Sequence, residues 1–340
     1  MLLVYGAYGY TGELIARHAV ERGLRPVLAG RDRARLRRLA EPLGCEARAF
    51  GLSSAAEVLR GIEGATVVLH CAGPFVHTYR PVLEACLEAR AHYLDITGEE
   101  PVFEAARAAS EAAERVGIMV MPGTGFDVVP TDCMAAHLAR RLPGARSIVL
   151  AFRALGRVSR GTARTAMTLA DLRPADPARH PPERTFDLGE GPVRCVSIPW
   201  GDLVTAPRST GVADVAVYMA APRTRSMLMR VMPHLAPALR LPGVGPLAAA
   251  LFTRGRAGPD AEARARGRAL VYGEAVGADG RRVAARQRHC DGYAYTALSA
   301  VEIAARAMRG EARPGWQTPS SAYGPDLAIS IPGSERVDVE

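Results

Sequence analysis

A glycine trio constrains this chain more than any other feature. Gly6-Ala7-Tyr8-Gly9-Tyr10-Thr11-Gly12 follows the apolar run Leu2-Leu3-Val4 and precedes a helix expected over Glu13–Arg22. At a strand-to-helix junction this spacing makes the turn on which a dinucleotide pyrophosphate rests. One glycine bends the chain, one lets backbone approach the phosphates, and one lets helix pack on strand. A Cβ at Gly6 or Gly9 would crowd the ligand or demand a strained backbone. Such spacings also arise by chance, so the weight comes from position, at strand end and helix start together.

The next run, Arg25-Pro26-Val27-Leu28-Ala29-Gly30, reads as a parallel strand leading through Arg31-Asp32-Arg33 into a basic helix from Ala34. A site for NAD places a carboxylate at the tip of this strand, on the ribose 2′-hydroxyl. A site for NADP replaces it with arginine beside the 2′-phosphate. Here the tip is Gly30, with room for a phosphate, and Arg31 follows. Asp32 fits the NAD carboxylate by position, but it also fits the cap of the following helix. The expected cofactor is NADP(H), held by Gly6, Tyr8, Gly9, Tyr10, Thr11, Gly12, Gly30, Arg31 and Asp32, with Cys71, Ala72, Gly73 and Pro74 joining from the loop after the fourth strand. Arg33 and Arg35 fit a solvated charged loop equally well.

At 340 residues the chain is long for one domain and suits two. Apolar residues make up 48%, enough for a large core, and only the last few residues look disordered. The formal charge of +8 invites a nucleic-acid reading, yet all 43 basic residues are arginine, and lysine and asparagine are both absent. That is the profile of a GC-rich coding bias. No arginine stripe interleaved with aromatics accompanies it, so no nucleic-acid partner is expected. The missing lysine excludes Schiff-base chemistry and the Tyr-Lys pair that short-chain dehydrogenases use for proton transfer. Protons must move through His, Tyr, Asp, Glu, Cys, a cofactor or water. Cysteines at 45, 71, 86, 133, 195 and 290 show no CxxC, and no histidine stands at ligand spacing. Neither a metal site nor a disulfide framework is expected, and a cytoplasmic location is. No charged-then-apolar leader is visible. The most apolar stretch, Leu241–Phe252, contains Pro and Gly and is too short to span a bilayer.

The first third alternates strand and helix. Strands are expected at Glu46–Phe50, Thr66–Cys71, His92–Ile96 and Ile118–Pro122, with helices Ser54–Gly61, Tyr79–Arg90 and Glu100–Val116 between them. Solid apolar runs of this kind suit parallel strands covered on both faces. The fold class is therefore α/β: an N-terminal Rossmann doubly wound parallel sheet, whose ligands lie beyond the carboxyl ends of its strands. Those ends carry His70 to Tyr79, then Asp95 to Glu99, then Gly123 to Asp132. Asp95 and Asp132 also fit helix caps, Cys71 a small core residue and Asp127 a turn former. From about residue 128 the pattern becomes α+β on a mostly antiparallel mixed sheet. It runs through helix Pro130–Arg141, strand Ser147–Phe152, a helix Gly161–Asp171 and strands near Val193–Ile198 and Val212–Met219. A hairpin Arg268–Gly277 with Arg281–His289 turns at Ala278-Asp279-Gly280, and helix Ala297–Arg309 follows. The expected domains are 1–127 for NADP, 128–310 for substrate and oligomerisation, and a tail 311–340 packing back toward the first. Thr224–Arg256 alternates Leu and Met with arginines. It suits a helical pair covering the core or a homodimer face, a lid over a greasy substrate, or a basic amphipathic segment on a membrane surface.

Taken together, Gly6-x-x-Gly9-Tyr10-Thr11-Gly12, Ala29-Gly30-Arg31, Ala72-Gly73-Pro74-Phe75, Tyr93-Leu94-Asp95-Ile96-Thr97-Gly98-Glu99 and Gly125-Phe126-Asp127-Val128-Val129-Pro130-Thr131-Asp132 resemble the saccharopine dehydrogenase-like oxidoreductases, nearest the trans-acting enoyl reductase branch. Pro199-Trp200-Gly201-Asp202, Ser209-Thr210-Gly211, Asp291-Gly292-Tyr293, Thr318-Pro319 and Ala322-Tyr323-Gly324 extend the likeness along most of the chain. The resemblance implies an NADP-binding Rossmann domain, a mixed α/β second domain, and reduction of an activated double bond in a small-molecule or carrier-bound acyl chain from a polyketide or lipid pathway. Reduction of an imine or carbonyl, with Arg153, Arg157, Arg160 and Arg164 clamping carboxylates, is the competing chemistry. A non-catalytic NADPH sensor is the competing class. Electron density displaced onto an oxygen or nitrogen needs a hydrogen-bond donor where charge develops. Tyr79, His77 and Tyr323 are the candidate donors, Tyr79 first, with Asp95 or Asp127 orienting them. His70 is expected to point into the core.

Overall fold

The computed structural model describes residues 1–154, 159, 161, 178–221 and 258–339. They form two units: Met1–Val129 with Tyr293–Pro332, and Pro130–Gly292 with Gly333–Glu340.

In the first unit, β1 (Leu2–Tyr5), β2 (Val27–Gly30), β3 (Ala47–Ala49), β4 (Val67–His70), β5 (His92–Asp95) and β6 (Met119–Met121) alternate with α1 (Tyr10–Glu21), α2 (Arg33–Leu43), α3 (Ala55–Gly61), α4 (Tyr79–Ala89), α5 (Glu100–Ala108) and α6 (Ser110–Val116). Every residue of β1, β2 and β4 is buried, as strands covered on both faces must be. Helix α1 turns Ile15, Ala16 and Ala19 inward. All strand pairs are parallel. The order is Gly315–Trp316, β6, β5, β4, β1, β2, β3. The chain winds from β1 out to β3, then returns beside β1 as β4. That reversal opens the ligand crevice at the carboxyl ends of β1 and β4.

Several features differ from the sequence reading. The stretch 100–116 divides into α5 and α6 at Ala109. The helix expected at 297–309 runs instead over Gly292–Arg306 and belongs almost entirely to the first unit. Its small buried face explains this: the Thr296 hydroxyl accepts the Phe126 N–H at 3.0 Å, and the Ser299 hydroxyl donates to the Thr124 carbonyl at 2.8 Å. The tail divides as well. Gly315–Trp316 extends the parallel sheet beside β6, whereas Glu335–Val339 pairs antiparallel within the second unit.

The second unit holds α7 (Val129–Arg141), β7 (Ala145–Ala154), β8 (Glu183–Asp187), β9 (Pro192–Ser197), α8 (Asp202–Thr210), β10 (Asp214–Ala220), β11 (Arg268–Gly277) and β12 (Arg282–Cys290). Its sheet runs Glu335–Val339, β12, β11, β7, β10, β9, β8, and only β7 and β10 pair in parallel. The hairpin turns where expected, with Gly280 at φ +80° and the Gly277 N–H on the Arg281 carbonyl at 2.9 Å. Helix α7 lies so close to β11 that a Cβ at Gly273 would stand 2.5 Å from the Met134 side chain. Val149, Ala151, Phe186, Tyr218 and Leu270 make a second core cluster. Strand β8 was not expected. The final residues, expected to be disordered, are ordered by β12 and by Asp338, which meets His137 at 2.7 Å and Arg141 at 3.1 Å. The helix at 161–171 apart from Gly161, the segment 224–256 and the arginines 157, 160 and 164 fall outside the described residues. Among the described residues, no helix is long and apolar enough to cross a membrane.

Candidate active site

The site starts at the end of β1. Gly6 takes φ +82°, and a Cβ there would stand 2.9 Å from Ala72 and from the Cys71 backbone. The loop after β4 therefore lies directly across the glycine turn. Gly9 caps α1 without any side-chain hydrogen bond, which leaves the first amides of a twelve-residue helix aimed at the turn. A Cβ at Gly12 would stand 2.3 Å from the Gly6 carbonyl oxygen, so only glycine lets the helix begin here. The one acidic side chain in the first turn of α1, Glu13, is neutralised by Arg17 at 2.8 Å. Thr11 is half-buried beside the turn, and Tyr10 stands edge-on to Tyr293 at 4.9 Å. These residues fit a pyrophosphate, because the cradle is open backbone at a helix N-terminus.

At the tip of β2 the structure corrects one expectation. The space a side chain at Gly30 would take is filled by the Tyr8 ring, 2.7 Å from an ideal Cβ. Asp32 is the helix cap: its carboxylate accepts the Arg35 N–H at 3.0 Å. Arg31 is exposed beside it. Arg35, read from sequence as a possible solvated residue, lays its guanidinium 4.4 Å from the Tyr8 ring centre.

The loops after β4, β5 and β6 are tied into one network. Asp95 is fully buried and accepts the Tyr93 hydroxyl at 2.7 Å and the Thr97 and Gly123 N–H groups at 2.9 Å each. Its carbonyl accepts the Thr124 N–H and hydroxyl. Glu99, also fully buried, reaches back to the β4 loop and accepts the Phe75 and Val76 N–H groups at 2.9 and 2.7 Å. Burial pushes Asp95 up to about 7, against the donors that favour its charge, and the nearby Glu99 carboxylate adds to the rise. Asp127, largely buried after β6, also rises to about 7, through burial of its carboxyl first and the Glu99 charge second. Burial holds the Cys71 thiol far above its ordinary range, so it is no nucleophile. His70 points into the core as expected. Burial drops it to about 3, and its Nε2 meets the Thr78 hydroxyl at 2.9 Å.

Tyr79 opens α4, half-buried, and His77 closes the exposed end of the 3₁₀ turn Phe75–His77. Both ride on the β4 loop, between Ala72-Gly73-Pro74 and α4. Neither hydrogen-bonds Asp95 among the described residues, so Asp95 holds loops rather than orienting these donors. Tyr323 lies elsewhere. Its hydroxyl is 4.0 Å from the sulfur of Met119, the first residue of β6, and its ring is 5.3 Å from the Arg306 guanidinium. That is the amino end of the sheet, opposite the β4–β6 loops, because all its strands run in parallel. Asp132 is buried in the second unit, bonded by the Ser209 hydroxyl. A cleft of about 390 Å³ lined by Arg33, Arg37, Arg48, Arg60 and Glu57 lies along the free edge at β3, also away from those loops. Sequence reasoning assigned no role to Tyr93, Glu99 or Arg35. For Tyr93 a signal existed: it stands two residues before Asp95 on one strand and so shares its face.

Residues 2–121 match the model of the saccharopine dehydrogenase NADP binding domain. A human saccharopine dehydrogenase-like oxidoreductase is 28% identical over 171 residues, 44% of this chain and 40% of the relative. A trans-acting enoyl reductase of Mycobacterium leprae (strain TN) is 33% identical over 149 residues, 42% of this chain and 36% of the relative. The matched stretches thus span less than half of these curated relatives. The fold as a whole is similar to saccharopine dehydrogenase (L-Glu forming) from Saccharomyces cerevisiae, with TM-score 0.64 and 13% identity, covering 100% of this chain and 99% of that one. It is similar also to homospermidine synthase from Legionella pneumophila in complex with NAD, with TM-score 0.65 and 9% identity, covering 99% and 91%. At these identities the likeness concerns fold alone. Over residues 2–121, with its glycine cradle and doubly wound sheet, the chain is thus similar to the saccharopine dehydrogenase NADP binding domain.

Proposed function

We propose that the protein is an NADPH-dependent oxidoreductase that reduces an activated double bond, with an enoyl C=C in a polyketide- or lipid-derived acyl chain as substrate. The observation that carries this reading is the β4 loop. It crosses the glycine turn at Gly6, is fastened by Glu99, and presents His77 and Tyr79 at the carboxyl edge of the sheet. The relatives named trans-acting enoyl reductase, at 32% and 33% identity, support the enoyl assignment over other reductions.

Bound NADPH supplies hydride at this edge. The chain must then stabilise the electron pair that moves onto the carbonyl oxygen and return a proton. Tyr79 and His77 are the donors for that oxygen, the role in which a preorganised hydrogen bond has the largest effect. Asp127, with its carboxyl near 7, still holds a proton in a large fraction of molecules at neutral pH and is the proton reserve. Asp95 and Glu99 act as positioning residues, fixing the loops that carry the donors. The imine reading draws less support, because Arg153 is already paired with Glu190. The test is steady NADPH oxidation with an enoyl thioester, compared with an imine of an amino acid. Enoyl turnover that falls about a hundredfold in Tyr79→Phe supports the proposal. Imine turnover alone, or NADPH binding that only changes oligomeric state, would replace it with the alternative reductase or the sensor.

A further inference from the structure

We propose that Tyr8, braced by Arg35, is the residue through which this chain distinguishes the 2′-phosphate of NADP(H) from the 2′-hydroxyl of NAD(H). The inference deepens the NADPH reading above and rests on it. It begins with the filled space at Gly30. Any side chain at that position would collide with the Tyr8 ring, 2.7 Å from an ideal Cβ, so the carboxylate that would hold a ribose 2′-hydroxyl has no place at the strand tip. Asp32, the next available acid, is turned onto the N–H of Arg35 as a helix cap. The strand tip itself therefore offers no carboxylate, and one oxygen of Asp32 is engaged in the cap.

What remains at the tip are donors. The Tyr8 hydroxyl oxygen accepts the Asp32 N–H at 3.3 Å, which leaves its own proton to donate outward. Arg35 holds the same residue twice, by its guanidinium 4.4 Å from the ring centre and by its Nη2 on the Tyr8 carbonyl at 3.0 Å. Arg31 stands exposed alongside. An O–H donor beside two guanidiniums, with the local carboxylate engaged as a helix cap, favours a phosphate monoester dianion over a hydroxyl. The arrangement also explains why a large aromatic is tolerated inside the glycine turn: its ring lies over Gly30 and not over the pyrophosphate cradle.

The experiment is calorimetric titration of the full chain with adenosine 2′,5′-bisphosphate and with adenosine 5′-monophosphate. These probes differ only in the 2′-phosphate. Wild type is expected to prefer the bisphosphate. Tyr8→Phe should weaken the bisphosphate about tenfold, the value of one hydrogen bond to a charged group, and leave the monophosphate within about twofold. Arg35→Ala should do the same, and Arg35→Lys should recover only part of the loss because it keeps the charge without the planar fork. A Tyr8→Phe protein with unchanged affinity for the bisphosphate, or with equal losses for both probes, overturns the role of Tyr8 while leaving the NADPH reading intact. A wild type that prefers the monophosphate overturns that reading along with it.

Discussion

Replacing Glu99 by Gln tests the network that positions the proposed donors. The Glu99 carboxylate is fully buried and accepts two backbone N–H groups of the β4 loop, Phe75 at 2.9 Å and Val76 at 2.7 Å. Glutamine keeps one acceptor oxygen and turns an NH₂ group against the other N–H. One hydrogen bond to a charged acceptor is lost, about 1.5–3 kcal/mol, and one buried N–H is left facing a donor, about 1–3 kcal/mol more. Together these cost about 2.5–6 kcal/mol. For a unit of this size about 2–4 °C accompanies each kcal/mol, so the melting transition should fall on the order of 10 °C. The same substitution removes the Glu99 charge, which adds to the rise that burial imposes on Asp95 and Asp127. Both carboxyls should then titrate at lower pH, read by ¹³C carboxyl chemical shifts. Scanning calorimetry of the two proteins under one buffer supplies the first readout. A transition within about 2 °C of wild type, with carboxyl titrations unmoved, would refute the network as the element that fixes this loop.

The remaining expectations are narrower. Asp95 and Asp127 rise from 3.8 to about 7 on folding, so the folded chain binds more protons across that window. Their contribution is present in full below pH 4 and is lost as pH rises through 7; calorimetric stability isolated to these two groups by Asp95→Asn and Asp127→Asn should decline over that range and not increase. Asp127→Asn should also flatten the alkaline fall of the reductase rate near pH 7, measured as a pH profile of kcat. Tyr323→Phe should leave turnover unchanged, because the hydroxyl lies beside Met119 at the amino end of the sheet. Gly12→Ala, whose methyl would meet the Gly6 carbonyl oxygen at 2.3 Å, should abolish NADPH binding in a fluorescence titration and destabilise the first unit by about 3 kcal/mol or more.

Sequence reasoning was strongest where geometry is local. The glycine turn, the parallel strands and the hairpin at Ala278-Asp279-Gly280 each depend on a few adjacent residues, and the structure has them in place. Asp32 as a cap belongs to the same class, since a cap bonds its own helix. What was hidden depends on partners far along the chain. The helix Gly292–Arg306 joins the first unit through contacts of Thr296 and Ser299 that span some 170 residues of sequence, beyond any periodicity. Tyr323 sits in a motif block shared with the family resemblance, and nothing local shows that its element returns to the amino end of β6. The strand Glu335–Val339 is short and carries charges at Glu335, Arg336 and Asp338, so it reads as a tail until β12 supplies the missing ladder. At Gly30 the absence of a side chain was legible and its cause was not: the space admits the Tyr8 ring, which stands 22 residues earlier.

Hydride transfer from NADPH to an enoyl carbon is the reaction on which the proposed function rests. The decisive measurement is incubation of the full chain with NADPH deuterated at both C4 positions and an enoyl thioester, followed by mass spectrometry and NMR of the acyl product. The expected product is saturated, with one deuterium at the carbon β to the carbonyl, and forms with NADPH far faster than with NADH. Deuterium retained in the cofactor while the enoyl thioester stays intact would contradict the proposed function.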